Sequence, residues 1–363
     1  MEEKTHRIKY IDYLKCFAIF SVVLGHTLKN MSHYSVISYS VENVIYSFHM
    51  PLFALLSGMF FKASMDFKSF VKKKFNQLLI PYFAEVVIVF FVIRPMLSWI
   101  NNSNVDVFSF RYFFNSFAYW GAWFLRALFI CFLVAYISVR MSRGYKLGAF
   151  VSIILIHGVF WLGIIPNKQQ ALNGFFFLYP FFWMGWFLRF YEESVIKYSK
   201  QLLLVIPISY IFLLSFWNSG VDSFYYMNTN IFHKGVEEIT GFKIIWETMY
   251  RFFVGALGSL SFVLLFRFSC EADIIRIHNG FDGKMSMVNF SPILKLCTNI
   301  GKCTLGIYIL QSIVFDNWDL IKMCPLPFWA CFLFSILLII LCYIIVKIGS
   351  RWYLGKMVLR GNN

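Results

Sequence analysis

The sequence is short of charge. Asp, Glu, Lys and Arg make up 14% of its 363 residues, against about 25% in a soluble domain. Acidic residues are the scarcer kind: 18 Asp and Glu stand against 33 Lys and Arg, for a formal net charge of +15. Its eight cysteines include no C-x-x-C pair, so neither a zinc site nor a disulfide framework has supporting spacing. They read as buried structural thiols. Polar linkers and internal repeats are absent as well, which points to one integral-membrane domain over 1–363. After MEEKTHRIKY no small-x-small cleavage site follows the first apolar run, so the first span is expected to be retained.

What the chain has in abundance is apolar residues, 59% of the total, with 45 Phe and a mean hydropathy of +0.66. This excludes disorder and argues against a water-soluble globule. Basic charge alone would suit nucleic acid, but here it lies between apolar runs, so no nucleic-acid partner is expected. A bilayer core of about 30 Å takes about 20 apolar residues in a helix. Ten such stretches occur, at roughly 10–28, 40–61, 78–97, 120–139, 147–165, 174–190, 202–217, 245–267, 303–318 and 327–347. The expected fold is all-α and polytopic, with about ten transmembrane helices. With the N-terminus inside, 23 Lys and Arg fall in the inner segments and six outside (Lys29, Arg111, Lys168, Lys234, Lys243 and Lys322). That bias places both termini in the cytoplasm. The outer stretches 98–119 and 218–244 are rich in Asn, Ser and aromatics, which suits either a glycan-facing surface or an interfacial aromatic belt.

Ionisable groups within spans are costly, so each is a candidate for function. In the first span Asp12, Lys15 and His26 stand out. Lys15 and His26 are eleven residues apart, about 20° past three full turns, so they share a face roughly 16 Å apart along the axis. Asp12 is three residues before Lys15 and can pair with it. A cytoplasmic acyl-CoA has an anionic head and a long thin arm ending in a thioester. Lys15 can hold phosphate, and His26, further along, can take a proton from an acceptor hydroxyl at the arm's end. The plainer readings are a snorkelling lysine and a histidine bonded between helices.

Arg126 and Arg251 each lie about 9 Å inside the outer end of a span. They can stabilise a developing oxyanion or pair with Glu85 or Glu247. Glu42 stands near the outer start of the second span, either solvated or orienting His26. His49 reads as a packing residue, with a pore-lining role as the second reading.

Six segments then carry a resemblance: IDYLKCFAIFSVVLGH, FHMPLFALLSGMFF (48–61), KKKFNQLLIPYF (72–83), WFLRALF (123–129), YPFFWMGWFL (179–188) and IGKCTLGIYILQS (300–312). In this order they resemble the acyltransferase-3 integral-membrane family, in its fucose-acetylase-like O-acetyltransferase branch. The first matches an Arg/Lys-x10-His motif at Lys15 and His26. The resemblance implies cytoplasmic acetyl-CoA as donor and no metal. It implies a sugar hydroxyl as acceptor, on a surface polysaccharide or its lipid-linked precursor, and a place in the cell inner membrane. It puts the essential histidine at His26 and the basic partner at Lys15 with Asp12 beside it; the donor's phosphates are then expected near Lys15, Lys73 and Lys74. The family's Arg-x-x-Arg falls on Lys74 and Gln77, so the second cation is missing. Gln311 stands where many relatives have His. The competing class is a transporter or flippase, which ten spans and midplane charges also suit; a non-catalytic scaffold is the third.

Overall fold

A computed structural model describes residues 9–33, 35–100, 122–161, 170–218, 242–278, 291–317 and 325–360. Arg111, Lys168, Lys234 and Lys322, Cys324, and nearly all of both long outer stretches lie outside these. The described residues form helices and no named strand. In order they are α1 (Lys9–Met31), α2 (Val36–Gly58), α3 (Phe67–Ile100), α4 (Trp123–Ser142), α5 (Tyr145–Trp161) and α6 (Gln170–Phe190). Then come α7 (Glu192–Lys197), α8 (Ser199–Leu214), α9 (Phe242–His278), α10 (Ser291–Lys302), α11 (Thr304–Phe315), α12 (Phe328–Gly349) and α13 (Tyr353–Arg360).

Every expected apolar stretch coincides with a helix. Length and apolarity separate them. Among the described residues, five helices can cross a membrane by both measures: α1, α3, α4, α9 and α12. A sixth span results if α10 and α11, bent by 75° at their junction, are taken together. Helices α5 and α8 are apolar but shorter. Helix α3 runs through two π-helical turns, 75–79 and 89–93, each shortly before a proline, Pro81 and Pro95. A proline ring collides with the carbonyl four residues back, and a wider turn gives it room.

With little hydrophobic driving force inside lipid, helices associate through close backbone approach and hydrogen bonds. Both are present. Helices α2 and α6 cross in backbone contact: a Cβ at Gly58 would sit 1.7 Å from the Phe182 carbonyl oxygen, and one at Gly185 1.9 Å from that of Leu55. No residue with a side chain fits either position. Between helices, the Ser335 hydroxyl donates to Thr27 Oγ1 at 3.0 Å and the Tyr179 hydroxyl to Ser152 Oγ at 2.7 Å. The Ser47 and Tyr210 hydroxyls lie 2.6 Å apart. At one end of the bundle, Leu326 pairs with the end of α1 through Leu326 N–H to Met31 O and His33 N–H to Leu326 O. At the other, the 59–66 connection is pinned by the Tyr136 hydroxyl and Arg140 on the Met65 carbonyl and by the Ala63 N–H on the Tyr145 hydroxyl.

Candidate functional site

Helix α1 lies among α2, α9, α10, α11 and α12. Lys15 and Lys74 each rest on an aromatic ring. The Lys15 ammonium stands 5.1 Å from the Phe60 ring centroid. Phe61, the next residue, packs on Phe132, and the Lys74 ammonium sits 3.6 Å above that same Phe132 ring. Lys74 also donates to Gln77 Oε1 at 3.4 Å, so the Gln that replaces the motif's second cation holds the first. Lys72 and Lys73 are exposed beside it. Asp12 is buried, and its carbonyl lies where a Cβ on Gly301 of α10 would be.

Eleven residues along α1, His26 is half-buried. Its ring stacks on Phe315 of α11 at 5.5 Å and meets Tyr46 of α2 edge-on at 6.4 Å. His49 packs against Tyr46, and its Nδ1 lies 2.7 Å from the Ile45 carbonyl oxygen, in keeping with a packing role. Glu42 is half-buried and feels the charge of Lys29.

The same face of α11 that carries Phe315 reaches a buried carboxylate. Glu85, 1% exposed, accepts from the Ser312 hydroxyl at 2.5 Å and from the Ala122 N–H at 3.1 Å. It thereby ties α3, α11 and the start of α4 together. Arg126 belongs to this cluster. Its guanidinium lies 4.8 Å from the Tyr82 ring centroid and within electrostatic reach of Glu85 and Tyr308. Asp316 also acts on Glu85. Arg94 donates to Asn317 Oδ1 at 3.4 Å.

Arg251 is completely buried on α9, one turn past the buried Glu247. One turn further, Gly255 abuts Phe181 and Pro51, so this face meets α6 and α2. The contacts of Arg126, by contrast, gather about α3 and α11.

Sequence reasoning noticed Glu85 but missed Tyr308, Ser312, Phe315 and Asp316. Their spacing of i, i+4, i+7 and i+8 is one helix face, and Ser and Asp within an apolar run were the available signal. Gln311 is buried, donating to the Tyr308 carbonyl at 3.1 Å.

A cavity of about 620 Å³ opens on the other side of α1. Tyr13, Cys16, Phe17 and Phe20 line it, and their stripe is centred about 140° around the helix from Lys15 and His26. Among the described residues no group of three or more His, Cys, Asp or Glu gathers to hold a metal ion. Of the seven described cysteines, Cys131, Cys303, Cys331 and Cys342 are buried.

Comparison with known families covers most of the chain. An acyltransferase domain, acyltransferase-3, matches residues 8–347. The chain belongs to the acyltransferase-3 family. Among curated proteins it is similar to nodulation protein NolL of Mesorhizobium japonicum, 23% identical over 86% of this chain and 77% of that protein. It is also similar to NolL of Sinorhizobium fredii, at 23% over 86% and 79%. No solved structure matches significantly. An acyltransferase-3 protein built of apolar helices is a membrane protein, and its chemistry is acyl transfer.

Proposed function

We propose that this acyltransferase moves an acetyl group from cytoplasmic acetyl-CoA to a hydroxyl of a sugar, on a surface polysaccharide or its lipid-linked precursor. In this reading it works in the cell inner membrane, with ten spans and both termini in the cytoplasm. The carrying observation is the arrangement along α1 within this family. Lys15 lies at one end, and His26 lies about 16 Å further on the same face, against Phe315 and Tyr46.

In the mechanism the phosphates of the donor rest near Lys15, Lys73 and Lys74, each a point charge on a flexible stem. His26 takes the proton of the acceptor hydroxyl as its oxygen attacks the thioester carbonyl. A C–O bond forms, and the carbonyl oxygen carries the negative charge. Arg126, whose cluster shares α11 with Phe315, is one candidate to stabilise it, and Arg251 the other. The carbonyl re-forms, the C–S bond breaks, and the CoA thiolate leaves with the proton that His26 held. Asp12, beside Lys15, keeps that end of α1 balanced in charge.

Incubation of the purified protein with labelled acetyl-CoA and candidate glycans tests the reading. Acetylated glycan is expected. His26→Ala should lower the rate by roughly 100-fold or more while the protein still inserts. Normal product from that variant refutes the base role. Glycan movement across vesicles without acetylation replaces the enzyme with a transporter.

A further inference from the structure

The cavity beside α1 has no part in this chemistry, yet it is built with care. Its walls come from α1, α9, α10 and α12, and at about 620 Å³ it falls within the size of small-molecule sites. Its lining is nearly all apolar. Only Tyr13, Ser269 and the thiols of Cys16, Cys270 and Cys297 bring polar atoms, and Cys16 and Cys297 are neighbours. Tyr13 to Phe20 spans roughly 10 Å along the axis, most of one leaflet's half of an about 30 Å core.

Helix α10 shows what covers it. Ile293, Cys297 and Ile300 form one stripe along the cavity, while Lys295 and Lys302 share the opposite face, both exposed. This helix is bent 75° from the apolar α11. A basic amphipathic helix at a sharp angle to a span is the arrangement of one lying in the membrane interface. Its apolar residues Ile293 and Leu294 remain 56% and 41% exposed. An apolar recess beneath an interfacial helix with a lysine face fits a molecule with a hydrocarbon tail and an anionic head.

We propose that the cavity holds one acyl chain of an anionic phospholipid of the cytoplasmic leaflet, its phosphate at the membrane surface beside Lys295 and Lys302. The acceptor lipid is not the occupant, since a tail here lies more than a third of a turn around α1 from His26. The bound chain props α10 against α1, where the Gly301 and Asp12 backbones touch, and so holds the α10–α11 bend that presents Ser312 and Phe315 to Glu85 and His26. Only the cytoplasmic placement of this end is taken from the proposed topology; acetylation is not assumed.

The test uses the full chain in phosphatidylcholine nanodiscs doped with phosphatidylglycerol carrying a diazirine in its tail, a phosphatidylcholine analogue serving as control. After illumination, mass spectrometry maps the adducts. Peptides holding Cys16, Cys297 and Ile336 should label several-fold more with the anionic probe, and more than peptides of α5, whose Phe150, Ile154 and Leu155 are exposed. Cys297→Trp and, separately, Ile336→Trp fill the cavity from two helices and should remove the excess label. Lys295→Glu with Lys302→Glu should equalise the two probes. In the native protein, equal labelling of cavity and α5, or equal labelling by both probes, overturns the proposal without recourse to any variant. So does displacement of the label by a polyprenyl phosphate when excess unlabelled phosphatidylglycerol fails to displace it.

Discussion

Glu85 is a carboxylate walled off from solvent at the junction of three helices, and its worth lies in what it satisfies. The Ala122 N–H begins α4 without a helical partner of its own, and Glu85 supplies the acceptor. Glu85→Ala should therefore destabilise the protein by about 1–3 kcal/mol, the cost of a buried donor left unmade. A lowered midpoint of thermal unfolding in detergent measures it. Glu85→Gln keeps an amide oxygen for Ala122 and should recover most of the loss; no recovery would mean that the negative charge beside Arg126 matters more than the hydrogen bond. On the proposed function, Lys15→Ala should raise the apparent KM for acetyl-CoA with kcat little changed, because a phosphate contact far from the reacting carbonyl would contribute uniform binding. An unchanged KM removes Lys15 from the donor site. Lys15 and His26 could be read directly from the chain, since an eleven-residue spacing on a helix fixes a shared face. Glu85's partners could not: Ser312 lies 227 positions away, and no periodicity links them.

At the scale of elements, two features decide how helices meet. The α2–α6 crossing needs Gly58 and Gly185 because backbone meets backbone there. A side chain at Gly185 has only the Leu55 peptide to push against, and rigid groups do not yield as a flexible side chain would. Gly185→Val should consequently abolish monodisperse protein on size-exclusion chromatography. The FHMPLFALLSG and YPFFWMGWFL segments were visible in the sequence as motifs, but their mutual contact was not. At the start of α3, Asp66 caps the helix by accepting the Ser69 N–H at 2.9 Å, which holds its carboxyl below the usual carboxylate range. A carboxyl with a lowered pKa in the folded state stabilises at neutral pH and loses that contribution as the pH falls through the lowered value. Amide exchange in Phe67–Phe70, compared with Asp66→Ala, should show protection at neutral pH that fades on acidification in the native chain alone.

For the whole molecule, the distribution of Lys and Arg sets the expected orientation. Cysteine placed at Lys29→Cys should label with an impermeant maleimide in intact cells, and at Lys68→Cys only after permeabilisation; both positions are exposed. The reverse result inverts the topology. Hydrophobicity and charge along the chain were enough to settle that this is a helical membrane protein, because lipid leaves each segment to satisfy its own backbone and a helix does so locally. The motif order was enough to place the family. Folding alone settled which spans bend, which glycines touch, that Arg126 joins Glu85 while the face bearing Arg251 meets α2 and α6, and that a cavity opens behind α1. These depend on contacts between residues hundreds of positions apart, and a one-dimensional pattern holds no record of them.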